Sequence, residues 1–333
     1  MTLIPWKTIS ANYRECAILG NGASIALANK LSYSSLYNAA VDRNHLSPAH
    51  QKVFQLFNTQ DFEFVLRALS YANAINGHLG IVESVTVDTY TNVRDALIRT
   101  VKEVHPDHND VSDQFNRMAD FLAPFPTVFS LNYDLLVYWA MMQANDKVGG
   151  NLFKDCFKED GHFEFNYDFL RKPHKTLATS TLVFFPHGNL ALATNMWGAE
   201  TKISQVAGSL LDAITHSWTL SGLTPLFVSE GDSDRKLLSI GRNAYLNQVY
   251  SEISVPRSSV LIYGWGISKQ DSHILKALGR AGVSRFAISV YTAAGDPNDY
   301  CYQVGRAIRQ TQGLEKAQIE FFDAGESGVW INP

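Results

Sequence analysis

Four short polar segments, far apart in this chain, carry residue types suited to binding and processing a nucleotide: Gly20-Asn21-Gly22-Ala23-Ser24, Leu131-Asn132-Tyr133-Asp134, Pro186-His187-Gly188 and Tyr263-Gly264-Trp265-Gly266-Ile267-Ser268. In the first, glycines turn tightly and bring backbone N–H groups up to a phosphate; a plain strand-to-helix turn asks for the same residues. The third glycine of a dinucleotide fingerprint is absent, Ile25 standing in its place with Ala26 beside it. Asn132 and Asp134 set a neutral amide beside a carboxylate. That pair can bond sugar hydroxyls and stabilise positive charge developing on a ribose carbon, and Asp134 can equally cap the next helix. His187, between proline and glycine, can serve as a general base near neutral pH, hold a ribose hydroxyl, or be structural. The last segment runs on into Asp271-Ser272-His273. Its glycines allow close approach to a ribose or diphosphate, Trp265 can lie against a ligand, and Ser268 and Asp271 offer polar contacts; a turn and a capped helix is the alternative. Glu230-Gly231 is a weaker fifth candidate.

Each segment follows an apolar run that reads as a buried strand: Cys16 to Leu19, Thr127 to Ser130, Leu182 to Phe185 and Val260 to Ile262. In an open α/β sheet, loops at the strands' carboxyl ends converge in space, so these segments are expected to meet in one crevice. Ile25 to Ala40 shows helical spacing, and Ser47 to Ala123 shows amphipathic patterns with few strand signals, the mark of a helical layer inserted after the first strand. A helix is expected from Leu135 to Met142. Lys147 to His174, with aromatics at every second position from Phe163 to Phe169, suggests an inserted hairpin that could cover the site.

Beyond Leu182 the pattern alternates: helix Ile203 to Ile214, strand Leu226 to Ser229, helix Asp234 to Glu252, strand Val260 to Ile262, helix His273 to Ala281, strand Ala287 to Val290, helix Val304 to Gln312, strand Ile319 to Phe322. This predicts a Rossmann-like, doubly wound, mostly parallel sheet. The expected organisation is a single domain over 1–333, with a helical insertion at about 45–125 and a smaller lobe at about 146–178.

With 333 residues, 46% of them hydrophobic and 18% charged, a sizeable core is assured. A formal charge of -4 with scattered lysines and arginines argues against direct nucleic-acid binding. Cys16, Cys156 and Cys301 form no Cys-x-x-Cys pair, which disfavours a disulfide framework or a cysteine zinc site and fits a reducing cytoplasm. No secretory leader and no apolar run long enough to span a membrane is evident. His105 and His108 have metal-like spacing but lie in a polar loop without a clear third ligand, so no metal is expected. Nucleophile-elbow, P-loop, zinc-protease and kinase signatures are absent.

The order of the four segments resembles the sirtuin superfamily in its divergent bacterial form. Gly20-Asn21-Gly22-Ala23-Ser24 is similar to its Gly-Ala-Gly-x-Ser loop, Ser130-Leu131-Asn132-Tyr133-Asp134 to its Thr-x-Asn-Tyr-Asp segment and Pro186-His187-Gly188 to its catalytic His-Gly. Tyr263 to Ser268, with Asp271 and His273, resembles the late segment facing the adenosine side of NAD. The chain departs from the deacylases of that superfamily in lacking the zinc ribbon and the Pro-Asp-Phe-Arg-type segment after the first loop. The helical insertion, with Asp61-Phe62-Glu63 heading a helix, is instead similar to sirtuin-like proteins of bacterial antiphage defence that destroy NAD; acids in a first turn also stabilise a helix by themselves.

The resemblance implies an NAD⁺ hydrolase with NAD⁺ as substrate and no metal. Asn132 would orient water and the nicotinamide ribose, His187 would act as base or ribose partner, and Asp134 would steer the ribose or carboxamide. Gly20, Asn21, Gly22, Ala23 and Ser24 would cradle the diphosphate, with Gly188, Glu230, Gly264, Trp265, Ser268 and Asp271 completing the pocket. It also implies a separate sensor or regulator subunit, such as a nucleotide-pyrophosphatase-like, ATPase or Argonaute-like protein, in a homo- or hetero-oligomer. Two other readings remain open: a non-catalytic sensor of NAD or ADP-ribose, and an NAD-dependent deacylase or ADP-ribosyltransferase.

Overall fold

A computed structural model describes residues 2–32, 35–158, 160–171, 179–195, 197–204, 209–220, 223–228, 232–293 and 297–333. The chain opens with α1 (Trp6–Ile9), β1 (Ala17–Leu19) and α2 (Asn21–Leu27). A helical layer follows: α3 (Leu36–Asp42), α4 (Pro48–Leu56), α5 (Phe62–His78), α6 (Val85–Val104), α7 (His108–Val111) and α8 (Phe115–Leu122). Then come β2 (Thr127–Ser130), α9 (Leu136–Val148), β3 (Phe153–Lys154), α10 (Tyr167–Leu170), β4 (Thr181–Phe184), β5 (Gly188–Thr194), β6 (Glu200–Lys202), α11 (Leu210–Leu220) and β7 (Thr224–Phe227). The last third holds α12 (Ser233–Gly241), α13 (Ala244–Ile253), β8 (Ser259–Tyr263), α14 (Ser272–Arg280), β9 (Arg285–Val290), α15 (Pro297–Arg309) and β10 (Gln318–Asp323).

Among the described residues, seven strands form one sheet in the order β10-β9-β8-β1-β2-β4-β3, and all of its pairings are parallel. Every strand residue of β1, β2 and β4 is buried, as a sheet covered on both faces requires. Strand alternation sorts the side chains into two cores. Ala17, Leu19, Val128, Val183 and Leu261 face the layer from α3 to α9, whereas Ile18, Phe129, Phe184, Ile262 and Ile288 face α12 to α15. Phe129 and Phe184 stack at 5.5 Å across neighbouring strands. Burying each such ring contributes about 1.5–3 kcal/mol. The architecture is therefore a Rossmann-like, doubly wound α/β fold with helices inserted after the first strand. No helix of the described residues is long and apolar enough to cross a membrane.

Several expected elements are placed differently. The helix expected over Ile25 to Ala40 divides into α2, a 3₁₀ turn at Asn29–Leu31 and α3. Ala28 takes extended backbone angles, and the Ser35 hydroxyl caps α3 by accepting from Asn38 N at 3.0 Å. The helix expected over Ile203 to Ile214 begins at Leu210, where the Ser209 hydroxyl accepts from Asp212 N. Asp234 to Glu252 splits into α12 and α13 because the Asn243 carboxamide oxygen caps Leu246 N at 2.9 Å. The strand expected at Leu226 to Ser229 is β7, and it leaves the parallel sheet: β6, β5 and β7 form a separate antiparallel sheet. The lobe after α9 contributes β3 to the sheet edge beside β4, and its Phe163 ring meets Tyr245 at 4.8 Å.

Gly188 marks the crossing from the parallel to the antiparallel sheet. Its φ is +77°, and a Cβ there would stand 2.1 Å from the Leu226 carbonyl oxygen. Gly282 has a similar φ of +72° with open space around it. Gly282→Ala is expected to cost about 1–2 kcal/mol through backbone strain alone, whereas Gly188→Ala adds a backbone collision and should cost more than about 3 kcal/mol. Urea denaturation of the two variants measures the difference, and equal midpoints would refute the collision.

Candidate functional site

The site begins where two loops touch. Gly22 N donates to Gly264 O at 2.7 Å and Gly20 N to Tyr263 O at 2.9 Å, joining the loop after β1 to the end of β8. A Cβ on Gly20 would lie 2.5 Å from Trp265 Cα, one on Gly22 2.8 Å from Gly264 O, and one on Gly264, at φ +67°, 2.3 Å from Ala23 N. This backbone contact already requires glycine at all three positions. Trp330, near the chain's end, locks it by donating from Nε1 to Ala23 O at 2.9 Å. Asn21 opens α2, and its carboxamide reaches Leu31 O at 3.5 Å.

The contact sets the direction of α2, which carries Ser24 under the loop after β2. The Ser24 hydroxyl donates to Asp134 Oδ2 at 2.5 Å and accepts from Asn132 Nδ2 at 2.7 Å; Asn132 Nδ2 also reaches Gly20 O at 2.9 Å. Asp134 Oδ1 accepts from Leu136 N at 2.9 Å, so one oxygen caps α9 while the other binds across the crevice. The helix-start contact expected of Asp134 is present, and its second oxygen is turned to Ser24. His105 supports this loop: its Nε2 accepts from Leu135 N at 3.0 Å and its Nδ1 faces Pro106 O at 2.9 Å. It is a buried structural imidazole whose pKa is lowered by burial. Asn189 of β5, which no sequence pattern marked, donates to Asp134 O at 2.6 Å.

His187 lies at the joint between the sheets, its carbonyl accepting from Val228 N at 2.6 Å and its ring against the Leu131 backbone, one residue from Asn132. Its Nε2 stands 3.0 Å from Nε2 of His273 and 4.0 Å from Asp271 Oδ1. Asp271 Oδ1 also takes the Lys236 ammonium at 2.8 Å, while Oδ2 faces Trp265 Nε1 at 3.3 Å and Ser268 Oγ at 3.4 Å. Burial, followed by the positive charge of Lys236, pushes His187 down to about 3, and burial pushes His273 down to about 4. Burial would raise Asp271, yet His187 and Lys236 outweigh it and hold the carboxyl below its ordinary value. Asp61, capping α5 through Glu63 N and Phe64 N, is driven up to about 6 by burial, with the Phe64 N–H, Arg67 and Lys236 opposing that rise. Glu63 pairs with Arg67.

The expected residues of four loops thus meet, with Trp265 buried and turned onto Asp271. Glu230 lies outside the described residues. Lys236, His273 and Asn189 complete the cluster. Lys236 and Asn189 stand in a helix and a strand that give no local motif, and His273 has a signal only in its place after Asp271. Ile267, a β-branched residue at φ +49°, marks strain in the loop after β8. Among the described residues, His187, Asp271 and His273 bring three metal-type donors within 4.8 Å of one another. Lys236 on the same carboxylate already supplies the positive charge that a cation would bring, which weighs against an ion there. A cleft of about 1840 Å³ opens elsewhere, beside α9, lined among others by Trp139, Lys154, Asp155 and Lys202. None of the crevice residues lines it, and its Lys202 and Asp155 pair with each other at 2.8 Å.

Fold and site together define a doubly wound α/β protein whose polar residues gather at the carboxyl ends of adjacent parallel strands, where such folds bind ligands. The chain belongs to the family described as "Domain of unknown function (DUF4917)", whose model matches residues 17–330. No curated protein matches it. Among solved structures, it is similar to a chain from a study described as "Structural Basis for the Mechanism and Regulation of Sir2 Enzymes". The identity is 10%, the match covers 91% of this chain and 95% of that one, and the TM-score is 0.34. At those values the likeness says nothing about chemistry.

Two predictions follow from the polar contacts. Ser24→Ala removes the hydroxyl shared by Asn132 and Asp134 and leaves a buried carboxylate oxygen without that donor; stability should fall by about 1–3 kcal/mol in chemical denaturation. Acidification acts on the histidines. With folded pKa values below 6.5, the unfolded chain binds their protons first, so stability present above about pH 6.5 is lost as pH falls toward 4. Asp61, raised from 3.8 to about 6, acts in the opposite direction between those values. His187 and His273 against Asp61 leave a net loss of about 1.4 kcal/mol per pH unit, and His105, also lowered by burial, adds to the fall. Thermal melts of the wild type and His187→Gln across this range should show a shallower fall in the variant; parallel curves would refute the assignment.

Proposed function

We propose that the protein is an NAD⁺ glycohydrolase that releases nicotinamide and leaves ADP-ribose. The observation that carries the reading is the meeting of Ser24, Asn132 and Asp134, with His187 against the adjoining Leu131 backbone, from loops after three adjacent strands, in the order that resembles the sirtuin motifs. Loss of a neutral nicotinamide from ribose calls for positioning and charge stabilisation more than for a strong nucleophile. Asp134, beside the ribose, would stabilise the oxocarbenium-like carbon, Asn132 would orient water, and His187 would take its proton. The diphosphate would lie along the Gly20 to Ser24 loop, with Gly264, Ser268 and Asp271 toward the adenosine.

In the arrangement described, these groups are satisfied by one another, and an imidazole held near 3 is a weak base. The negative charge of a diphosphate brought near Lys236 would offset that ammonium and raise His187 toward a useful range. Such a closed resting state suits an enzyme whose unrestrained activity would drain cellular NAD. We take the protein as an effector of antiphage defence, released by a separate sensor subunit. The same mutual saturation also fits the second reading, a module that binds NAD or ADP-ribose and signals without turnover.

The test is mass spectrometry of the nucleotide pool in cells expressing wild type, Asn132→Ala or His187→Ala, each alone and with its genomic neighbour. Nicotinamide and ADP-ribose should accumulate with the wild type and fall at least about 10²-fold in both variants. NAD⁺ that binds the triggered complex and stays intact would sink the hydrolase reading in favour of the sensor.

A further inference from the structure

Helix α5 is apolar along two lines, and the core covers one of them. Phe62, Val65, Leu66 and Leu69 are buried there. Phe64, Ala68, Tyr71, Ile75 and Leu79 follow a second line at steps of four, three, four and four residues, close to the alternation of a coiled-coil seam. Exposure grows along it: Phe64 and Ala68 are partly buried, while Tyr71, Ile75 and Leu79 are 48%, 56% and 64% exposed. Phe57, just after α4, meets Phe64 edge-on at 5.3 Å and lengthens the line at one end. Ile81, Val82 and Val85, each half or more exposed, lengthen it at the other. The turn carrying them is ordered, because the Glu83 carboxylate accepts from Asn76 Nδ2 and Thr86 N at 2.9 Å each and from the Thr86 hydroxyl. An aromatic side chain covers about 150–250 Å² and an aliphatic one somewhat less, so the six exposed side chains from Tyr71 to Val85 present on the order of 700 Å² of apolar surface. That is more than a typical monomer leaves in one patch, and it approaches the roughly 800 Å² that each partner of a stable dimer buries.

Charge decides what fits there. Between Arg67 and Arg94 the sequence has no lysine or arginine, and its only acids are Glu83, bound into the turn, and Asp88. A helix lying on a membrane carries a basic polar face, and a charged partner calls for charge in return; this stretch offers neither. A two-fold axis has the opposite need, since it sets a surface against its own copy and any charge against its like. We propose that α5 is the dimerisation helix of this protein, pairing antiparallel with α5 of a second copy through Ala68, Tyr71, Ile75 and Leu79. In that register the axis passes between Tyr71 and Ala72, Ala68 faces the partner's Ile75, and the turn at Ile81 and Val82 closes on the partner's Phe57 and Phe64. Ala68 and Ala72 let the helix axes approach to about 8–10 Å. Each α6, already packed on its own α5, flanks the pair and completes a four-helix bundle. Tyr71 stands ten residues beyond Asp61, about 15 Å along the helix, so the seam leaves the crevice residues outside it.

The experiment is sedimentation of the full chain at micromolar concentration, with Ile75→Glu and, as a control on another exposed face, Tyr302→Glu. Wild type and Tyr302→Glu should sediment as dimers. Ile75→Glu should weaken dimerisation at least about 30-fold, with an unchanged circular dichroism spectrum because residue 75 is exposed in the single chain. A monomeric wild type, or a dimer that survives Ile75→Glu, overturns the proposal; a monomer that floats with anionic vesicles gives the seam to a membrane instead. Orientation is read by spin labels on His78→Cys, the native Cys16, Cys156 and Cys301 being buried. Antiparallel helices hold the two labelled positions about 20 Å apart along the axis, whereas labels side by side would refute the register. Neither measurement involves NAD⁺, so the dimer stands or falls apart from the hydrolase reading.

Discussion

Everything in the crevice depends on two backbones touching at the centre of the sheet. Gly22 N on Gly264 O at 2.7 Å leaves no room for a side chain at Gly20, Gly22 or Gly264. That contact aims α2 so that Ser24 reaches Asn132 and Asp134, and it fixes the start of the loop that carries Trp265, Asp271 and His273 toward His187. A methyl group at any of these glycines would part the loops and both polar clusters with them. The order β8-β1-β2-β4 makes the arrangement possible, because parallel neighbours present their carboxyl ends on the same side.

The two clusters differ in their electrostatics. Around Ser24 the groups form a short chain of neutral and charge-assisted hydrogen bonds in which each donor has its acceptor. Around Asp271 an ammonium, a carboxylate and two imidazoles share a buried space. There burial and Lys236 keep the imidazoles neutral, and Asp271 stays ionised because its partners outweigh its desolvation. Such a cluster is poised, since any anion entering near Lys236 redistributes the balance. The Asp61 interaction with Lys236 extends this electrostatic cluster into the helical insertion.

Much of the scaffold could be read from local pattern. The runs at Thr127 to Ser130 and Ala287 to Val290 are short, apolar and bounded by turn residues, and they are strands of the parallel sheet. The antiparallel sheet was not legible. Gly188 to Thr194 is buried throughout with small residues interleaved, so it shows neither alternation nor helical period, and its partners lie between 6 residues away, at Thr194↔Glu200, and 39 residues away, at Gly188↔Phe227. Helix boundaries failed where one side chain decided them, as at Ser35, Ser209 and Asn243, since a hydroxyl or carboxamide that caps a helix looks no different in sequence from one on a helix surface.

For the candidate site, the sequence determined which loops carry the polar residues that gather there, because glycines, an Asn-x-Asp pair and a His-Gly at strand ends are local features. Tertiary structure alone decided what those groups bond to. Ser24 joins Asn132 and Asp134 across more than a hundred residues, and Lys236 reaches Asp271 and His273 reaches His187 from helices whose sequence gives no reason to pair them. The physical reason is range: a turn or a cap is settled within a few residues, whereas the protonation and partner of a buried side chain depend on every charge the fold brings within a few ångströms of it.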